Sequence, residues 1–309
     1  MLRALASLAL LALGLTVSSP GSAADTRLNR MIELWAAGQP AFGVFARFRG
    51  ADGALYYANS GYDFVIFDLE HGAADFSQFR EFLQFMVDRG MVLRKGSLQP
   101  DTVPIARVPG NGSERNQWTI KQALDAGAYG LMAPHVATVD EARHLVASSR
   151  YTQAVGAADV EPRGERGVAP GHAARYWGLG VADYMRRADA WPLDPQGELA
   201  VIAMIESGEG VRNARAILTQ VPGIAAVFIG PNDLSTSLGY PAQPNHPETE
   251  RAIQQVLRVC LETGIACGIL VTREDIEKRV QQGFRFLVIA GSPGDSEAAL
   301  ALGRRAARR

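Results

Sequence analysis

Short apolar runs recur along the chain, each bounded by turn residues. Eight of them, at 42–48, 64–69, 103–108, 130–134, 200–205, 226–229, 266–271 and 286–290, are near-continuous rather than alternating. Unbroken apolar runs of that length mark strands covered on both faces, and therefore a parallel sheet. Between them the apolar positions switch to a spacing of three and four. In 75–89 they fall at Phe76, Phe79, Phe82, Leu83 and Met86, one face of a helix. Helical patterns follow at 114–126, 139–149, 209–220, 247–263, 273–282 and 295–307. Ser113 and Thr272 stand where N-caps belong, the latter with Asp275 three residues on. Gly90, Gly127, Gly264 and Gly283 stand where helices end. Strand followed by helix, repeated about eight times in a domain of this size, predicts an α/β (βα)8 TIM barrel. A doubly wound open sheet is the alternative, but no G-x-G-x-x-G follows any early strand. The connection 151–198 is too long to be a simple turn, and its second half, 173–190, carries a helical pattern.

The ends of the chain change the picture. Residues 5–17 form an apolar run behind Arg3, too short to cross a bilayer. Ser18-Ser19-Pro20 breaks the run, and Ser22, Ala23 and Ala24 supply the small residues of a cleavage site. This predicts a secretory signal peptide over 1–24, one barrel domain over 25–309, and a periplasmic or secreted mature protein. The basic end, Arg304 to Arg309, reads as the cationic C-terminus of a helix. A net charge of −1 leaves no electrostatic footprint for nucleic acid or an acidic membrane surface. Cys260 falls late in a helix and Cys267 early in a strand, both among apolar neighbours. They read as buried free thiols, although an oxidising compartment permits a disulfide.

A TIM barrel builds its active site at the C-terminal ends of the strands. The polar residues that end the eight runs are few: Asp68, Glu70 and His71, then Arg107, His135, Glu206, and Asn232 with Asp233 behind a Gly-Pro turn. Two carboxylates from neighbouring strands, Glu206 and Asp233, suit a hard divalent cation such as Mg²⁺, Mn²⁺ or Co²⁺, which takes its other ligands from water and substrate. Each alone could equally cap the next helix. His71 is the natural acid–base group, with Asp68 or Glu70 to orient it. Arg107 interrupts an apolar strand and needs an anion, either a substrate oxyanion or an internal carboxylate, Glu70 or Glu206. The three lysines, Lys95, Lys121 and Lys278, fall in a loop and on outer helices. A Schiff-base aldolase needs a lysine inside the barrel, so carbanion chemistry here would use a metal as Lewis acid.

The runs Phe67-Asp68-Leu69-Glu70-His71-Gly72, Pro104-Ile105-Ala106-Arg107-Val108-Pro109 and Gly230-Pro231-Asn232-Asp233-Leu234-Ser235 resemble the HpcH/HpaI aldolase/citrate lyase family. The Arg163-Gly164-Glu165-Arg166-Gly167 loop and Ile205-Glu206 add to the likeness, which extends over roughly 32–303. The resemblance implies a phosphoenolpyruvate/pyruvate-type barrel whose last helix is exchanged between subunits, giving dimers and homohexamers. It implies class II cleavage of a 4-hydroxy-2-oxo acid to pyruvate and an aldehyde through a metal-stabilised enolate. Carried over residue by residue, Glu206 and Asp233 match the metal ligands. Arg107 matches the arginine at the enolate oxygen, and His71 matches the base with Asp68 as its partner. The amide of Asn232, before the ligand Asp233, matches a substrate carboxylate contact, and Asp233 is also placed in the substrate-binding set. Where pyruvate aldolases of the family commonly carry Gln, two residues before the metal Glu, this chain has Met204. An acyl-CoA lyase of the citrate-lyase kind and a non-catalytic exported 2-oxo acid binding protein are the competing expectations.

Overall fold

Each strand of the sheet is short because each needs only to cross one wall of a barrel. The computed structural model describes residues 27–308, except Asn116 and Asp159, so the expected signal peptide lies outside the described residues. The strands are β1 (Ala41–Phe45), β2 (Phe64–Asp68), β3 (Val103–Arg107), β4 (Gly130–Ala133), β5 (Ala190–Trp191), β6 (Leu199–Ile205), β7 (Ala226–Ile229), β8 (Ala266–Val271) and β9 (Phe286–Ile289). All pair in parallel, and the pairings β4–β6 and β1–β9 close the sheet on itself. β5 is a two-residue addition beside β6, so eight strands make the barrel. This is the (βα)8 architecture the apolar runs predict, and it excludes the open doubly wound sheet.

The period of two along each strand sorts the side chains. Phe67 faces outward, packed on Phe79 and Phe82 of helix Phe76–Phe85. Phe64, Ile66 and Asp68 therefore face inward. The interior is filled from below by aromatic rings: Phe64 lies 4.8 Å from Phe286, and Phe228 lies 5.9 Å from Phe286. Gly43 and Gly268 make room for these rings, since a Cβ at either would come within 2.4 Å of one. Met204 sits on the inward face of β6, one pleat below Glu206. The barrel floor beneath the rim residues is thus apolar.

The helices form for local reasons. Val139–Ser149 opens with a capping box, Thr138 with Glu141. Gly208–Gln220 is capped by Ser207, Pro247–Thr263 starts on Pro and ends at left-handed Gly264, and Pro293–Ala306 is capped by Ser292. Several expectations need correction. The expected helix 75–89 stops at Phe85, and Asp88 caps a second helix, Arg89–Lys95, so Gly90 lies inside a helix and left-handed Gly96 ends it. Lys95, expected in a loop, ends that helix and pairs with Asp101 at 2.6 Å. Ser113 lies inside a 3-10 turn, Gly112–Glu114, and the α-helix begins at Gln117. The first run ends as a strand at Phe45, because Tyr57 takes the backbone N–H groups of Arg47 and Phe48. Helices Arg30–Ala36 and Ala51–Ala58 carried no sufficient pattern: the first is seven residues long and the second has Gly53 in its interior.

The long connection is a folded cover. It carries helices Gly171–Trp177 and Val181–Arg187, then β5. Trp177 stacks on Tyr129 at 4.2 Å and donates to Gly127 O. Arg166 is buried against Asp125, and Arg150 holds Asp189 through two nitrogens. The last helix packs on its own barrel in the single chain: Gly303 lies against Phe42 and Ile276, and Arg304 bonds Asp63. Cys260 and Cys267 are buried free thiols. Among the described residues no helix is long and apolar enough to cross a membrane.

Candidate active site

The rim residues meet at the C-terminal mouth of the barrel in two groups. The first is held by Arg107 at the end of β3. Its Nε and Nη2 donate to the two oxygens of Asp68 at 2.9 and 2.6 Å, and its Nη1 lies 3.0 Å from Glu70 Oε2. Its guanidinium rests over the Phe45 ring at 4.7 Å. β2 and β3 pair in register at Asp68 and Arg107, so the fork geometry follows directly from the sheet. Burial alone would push the Asp68 carboxyl up, but the hydrogen bond and charge of Arg107 outweigh it and hold Asp68 below its ordinary range. Glu70 goes the other way: burial raises it, and the Arg107 charge only partly opposes this.

His71 sits at the outer edge of this group, two-thirds exposed, with Nε2 3.7 Å from Glu70 Oε2. Asp68 touches His71 through the main chain, accepting the His71 N–H at 3.3 Å. The imidazole's near carboxylate is therefore Glu70, while both Asp68 oxygens are committed to Arg107.

The second group is Glu206 with Asp233. Glu206 directly follows β6 and is 2% exposed. Its Oε1 accepts the His135 N–H at 2.8 Å, and its Oε2 lies where a Cβ on Gly230 would be, 2.2 Å away. Gly230 is thus a cradle for a carboxylate, and Pro231 then turns the chain into helix Pro231–Ser237, whose first turn carries Asn232 and Asp233. Burial raises the Glu206 carboxyl above its ordinary range, the His135 N–H opposes this, and the neighbouring Asp233 adds to the rise. A buried carboxylate facing a second carboxylate calls for a cation. Among the described residues no cluster of three or more His, Cys, Asp or Glu side chains is placed to hold an ion. A two-carboxylate set fits a hard ion that keeps water and substrate oxygens in its shell.

His135 is the residue whose importance sequence reasoning understated. Its backbone is left-handed, with φ 49°, and its Nδ1 lies 3.7 Å from Glu206 Oε1. Such a conformation in a non-glycine residue costs about 1–3 kcal/mol and clusters at sites of function. The other histidines have local work: His144 meets Ser148, His172 meets Arg80, and His246 caps a helix and stacks on Tyr240. Lys95, Lys121 and Lys278 all lie on helices, so none is an inward strand residue.

Residues 42–298 match the family model of the HpcH/HpaI aldolase/citrate lyase family. The chain belongs to the HpcH/HpaI aldolase/citrate lyase family. A hydroxypyruvate/pyruvate aldolase of Roseobacter denitrificans is 34% identical over 264 residues, covering 85% of this chain and 91% of that protein. A 4-hydroxy-2-oxo-heptane-1,7-dioate aldolase of Escherichia coli is 32% identical over 259 residues, covering 82% of this chain and 85% of that one. The crystal structure of an HpcH/HpaI family protein from Burkholderia cenocepacia superposes with a TM-score of 0.69 at 28% identity, over 91% of this chain and 98% of that one. The chain is accordingly a carbon–carbon lyase of aldolase type acting on a small molecule. The HpcH/HpaI match spans both rim groups, from Asp68 to Asp233.

Proposed function

We propose that the protein is a divalent-cation-dependent class II aldolase that interconverts a 4-hydroxy-2-oxo acid with pyruvate and an aldehyde. The observation that carries this reading is the Glu206 carboxylate, buried over Gly230 beside Asp233, in a barrel whose lysines all lie on outer helices. Mg²⁺, Mn²⁺ or Co²⁺ held by Glu206 and Asp233 would supply Lewis acidity at the 2-oxo acid. Arg107 is placed to place positive charge at the developing enolate oxygen, already oriented by Asp68 and Glu70. His71, free at the mouth and beside Glu70, is placed to take the 4-hydroxyl proton in cleavage and return it in synthesis. Asn232 is exposed in the first turn of the helix that carries Asp233, and its amide is the proposed contact for the substrate carboxylate. The aldolase names of the relatives support pyruvate as the 2-oxo half.

Purified protein incubated with pyruvate, a small aldehyde and Mn²⁺ is expected to form aldol product. EDTA abolishes it, and His71→Ala lowers the rate about 10²–10⁴-fold. Activity that survives both treatments overturns the reading. Met204, an apolar side chain directly beneath Glu206, favours one rival, a barrel that binds 2-oxo acids without turnover. Exchange of the pyruvate C3 protons with deuterated solvent separates the two, since only an enolising site exchanges them.

The reading extends to the mature form. The mature protein begins near residue 25 outside the cytoplasm and assembles into dimers and hexamers. N-terminal sequencing of the protein from a periplasmic fraction, with sedimentation analysis, tests both points. An intact Met1 in the cytoplasmic fraction, or a monomer, would overturn the corresponding one.

A further inference from the structure

We infer that Arg49 is a positioning residue for the segment that carries Glu70 and His71. This rests on the aldolase reading of those two side chains. Arg49 lies in the turn after β1, outside the barrel interior. Its Nη2 donates to Asp68 O at 2.6 Å and to Ala73 O at 3.1 Å. Those two carbonyls are the two ends of the segment, so one guanidinium closes it like a clasp. The guanidinium lies 4.3 Å over the Phe67 ring. The segment wraps it closely: a Cβ on Gly72 would stand 2.5 Å from Arg49 Nη1 and 2.6 Å from Asp68 O. Only glycine fits there.

The clasp is anchored from behind. The Tyr57 hydroxyl accepts Arg47 N–H at 2.8 Å and Phe48 N–H at 3.4 Å. Gly53 brings helix Ala51–Ala58 hard against Phe48, whose carbonyl would be 2.3 Å from an added Cβ. The segment has few ties of its own. Leu69 N–H reaches Arg107 O, and the Glu70 and His71 N–H groups share one Asp68 oxygen at 3.1 and 3.3 Å. The nearest charged group to the imidazole is Glu70, on the same segment. The place of the imidazole is therefore set by the main chain, and Arg49 sets the main chain. Arg107 holds the segment from inside through Asp68, and Arg49 holds it from outside through the carbonyls.

The test uses the mature full-length protein with Mn²⁺, as wild type, Arg49→Ala and Arg49→Lys. Arg49→Ala is expected to lower kcat by about 10–100-fold, because displacing a catalytic group by about 1 Å costs that much, while KM for pyruvate moves by less than about threefold. Added guanidinium ion restores part of kcat in Arg49→Ala. Arg49→Lys, which lacks the fork, falls between the two. Amide hydrogen exchange at residues 70 and 71 quickens about tenfold or more in Arg49→Ala while residues 64–68 keep their protection. Unchanged exchange at 70 and 71, or an equal rise across 64–68, overturns the inference. So does a kcat that stays at the wild-type value. A wild type without aldolase turnover overturns the aldolase reading instead, and the exchange pattern then decides the clasp alone.

Discussion

Glu206→Gln is expected to abolish cation binding and most of the activity while making the metal-free protein more stable. The amide keeps the shape and can still accept the His135 N–H through its oxygen. It removes the charge. Affinity for Mn²⁺ should fall by at least about a hundredfold, and kcat/KM by on the order of a thousandfold, since the charge at the developing enolate is then held by fewer fixed groups. The stability change has the opposite sign. Burial and the neighbouring Asp233 disfavour the ionised Glu206 carboxyl. Its folded value is raised, so the folded state is favoured most below the ordinary value of 4.5 and loses that advantage as pH rises through the raised value. At neutral pH without a cation the wild type therefore carries a cost that Gln lacks. Thermal unfolding with EDTA should show a higher Tm for the variant. Adding Mn²⁺ should raise Tm in the wild type and leave the variant where it was. A variant that still responds to Mn²⁺ would show that the ion binds elsewhere.

Arg107→Lys should be nearly as damaging as Arg107→Ala. Arg107 spends three nitrogens on two carboxylates and lays its flat face on Phe45. An ammonium cannot reproduce the fork or the stacking. Loss of one preorganised donor is expected to lower kcat by about 10²–10³-fold. Leaving Asp68 and Glu70 without their shared partner should destabilise the fold by about 3 kcal/mol at neutral pH. The pH dependence gives a sharper signature. Asp68 is held below its ordinary value of 3.8, so its contribution is complete above that value and is lost as pH falls through the lowered one. The variants lack that contribution from the start. The stability gap between wild type and variant should therefore narrow as pH is lowered from about 5 to about 2. Denaturant unfolding across that range measures it, and a gap that is constant or widens would mean that Asp68 draws nothing from Arg107.

The strands were legible because barrel strands are apolar on both faces, so each of the eight runs announced itself within a few residues of its observed ends. The grouping at the mouth was legible for the same reason, since a polar residue ending an apolar run has nowhere else to go. Glu206, Asp233, Asp68, Glu70, His71 and Arg107 were all reachable that way. What stayed hidden depends on backbone geometry or on distant contacts. The left-handed turn at His135 leaves no mark in residue type. Arg49 is one arginine in a loop until the β1 and β2 turns are placed side by side. Met86 continues an amphipathic stripe, so the break after Phe85 was invisible until Asp88 was seen capping a new helix. The pairing of His71 with Glu70 rather than Asp68 follows from the register of β2 with β3, which gives both Asp68 oxygens to Arg107.

The aromatic filling of the barrel has one more consequence. Phe64, Phe228 and Phe286 pack across the interior, and with buried Met204 beside Phe228 they line the floor with apolar side chains. Traffic of protons and solvent is one-sided. On the proposed aldolase reading, a proton that leaves or reaches the enolate would pass the same opening as the substrate, past His71 and His135. On the same reading, an aldehyde seated in that opening would act as a stopper, and its residence would set how long the enolate is shielded from protonation by bulk water.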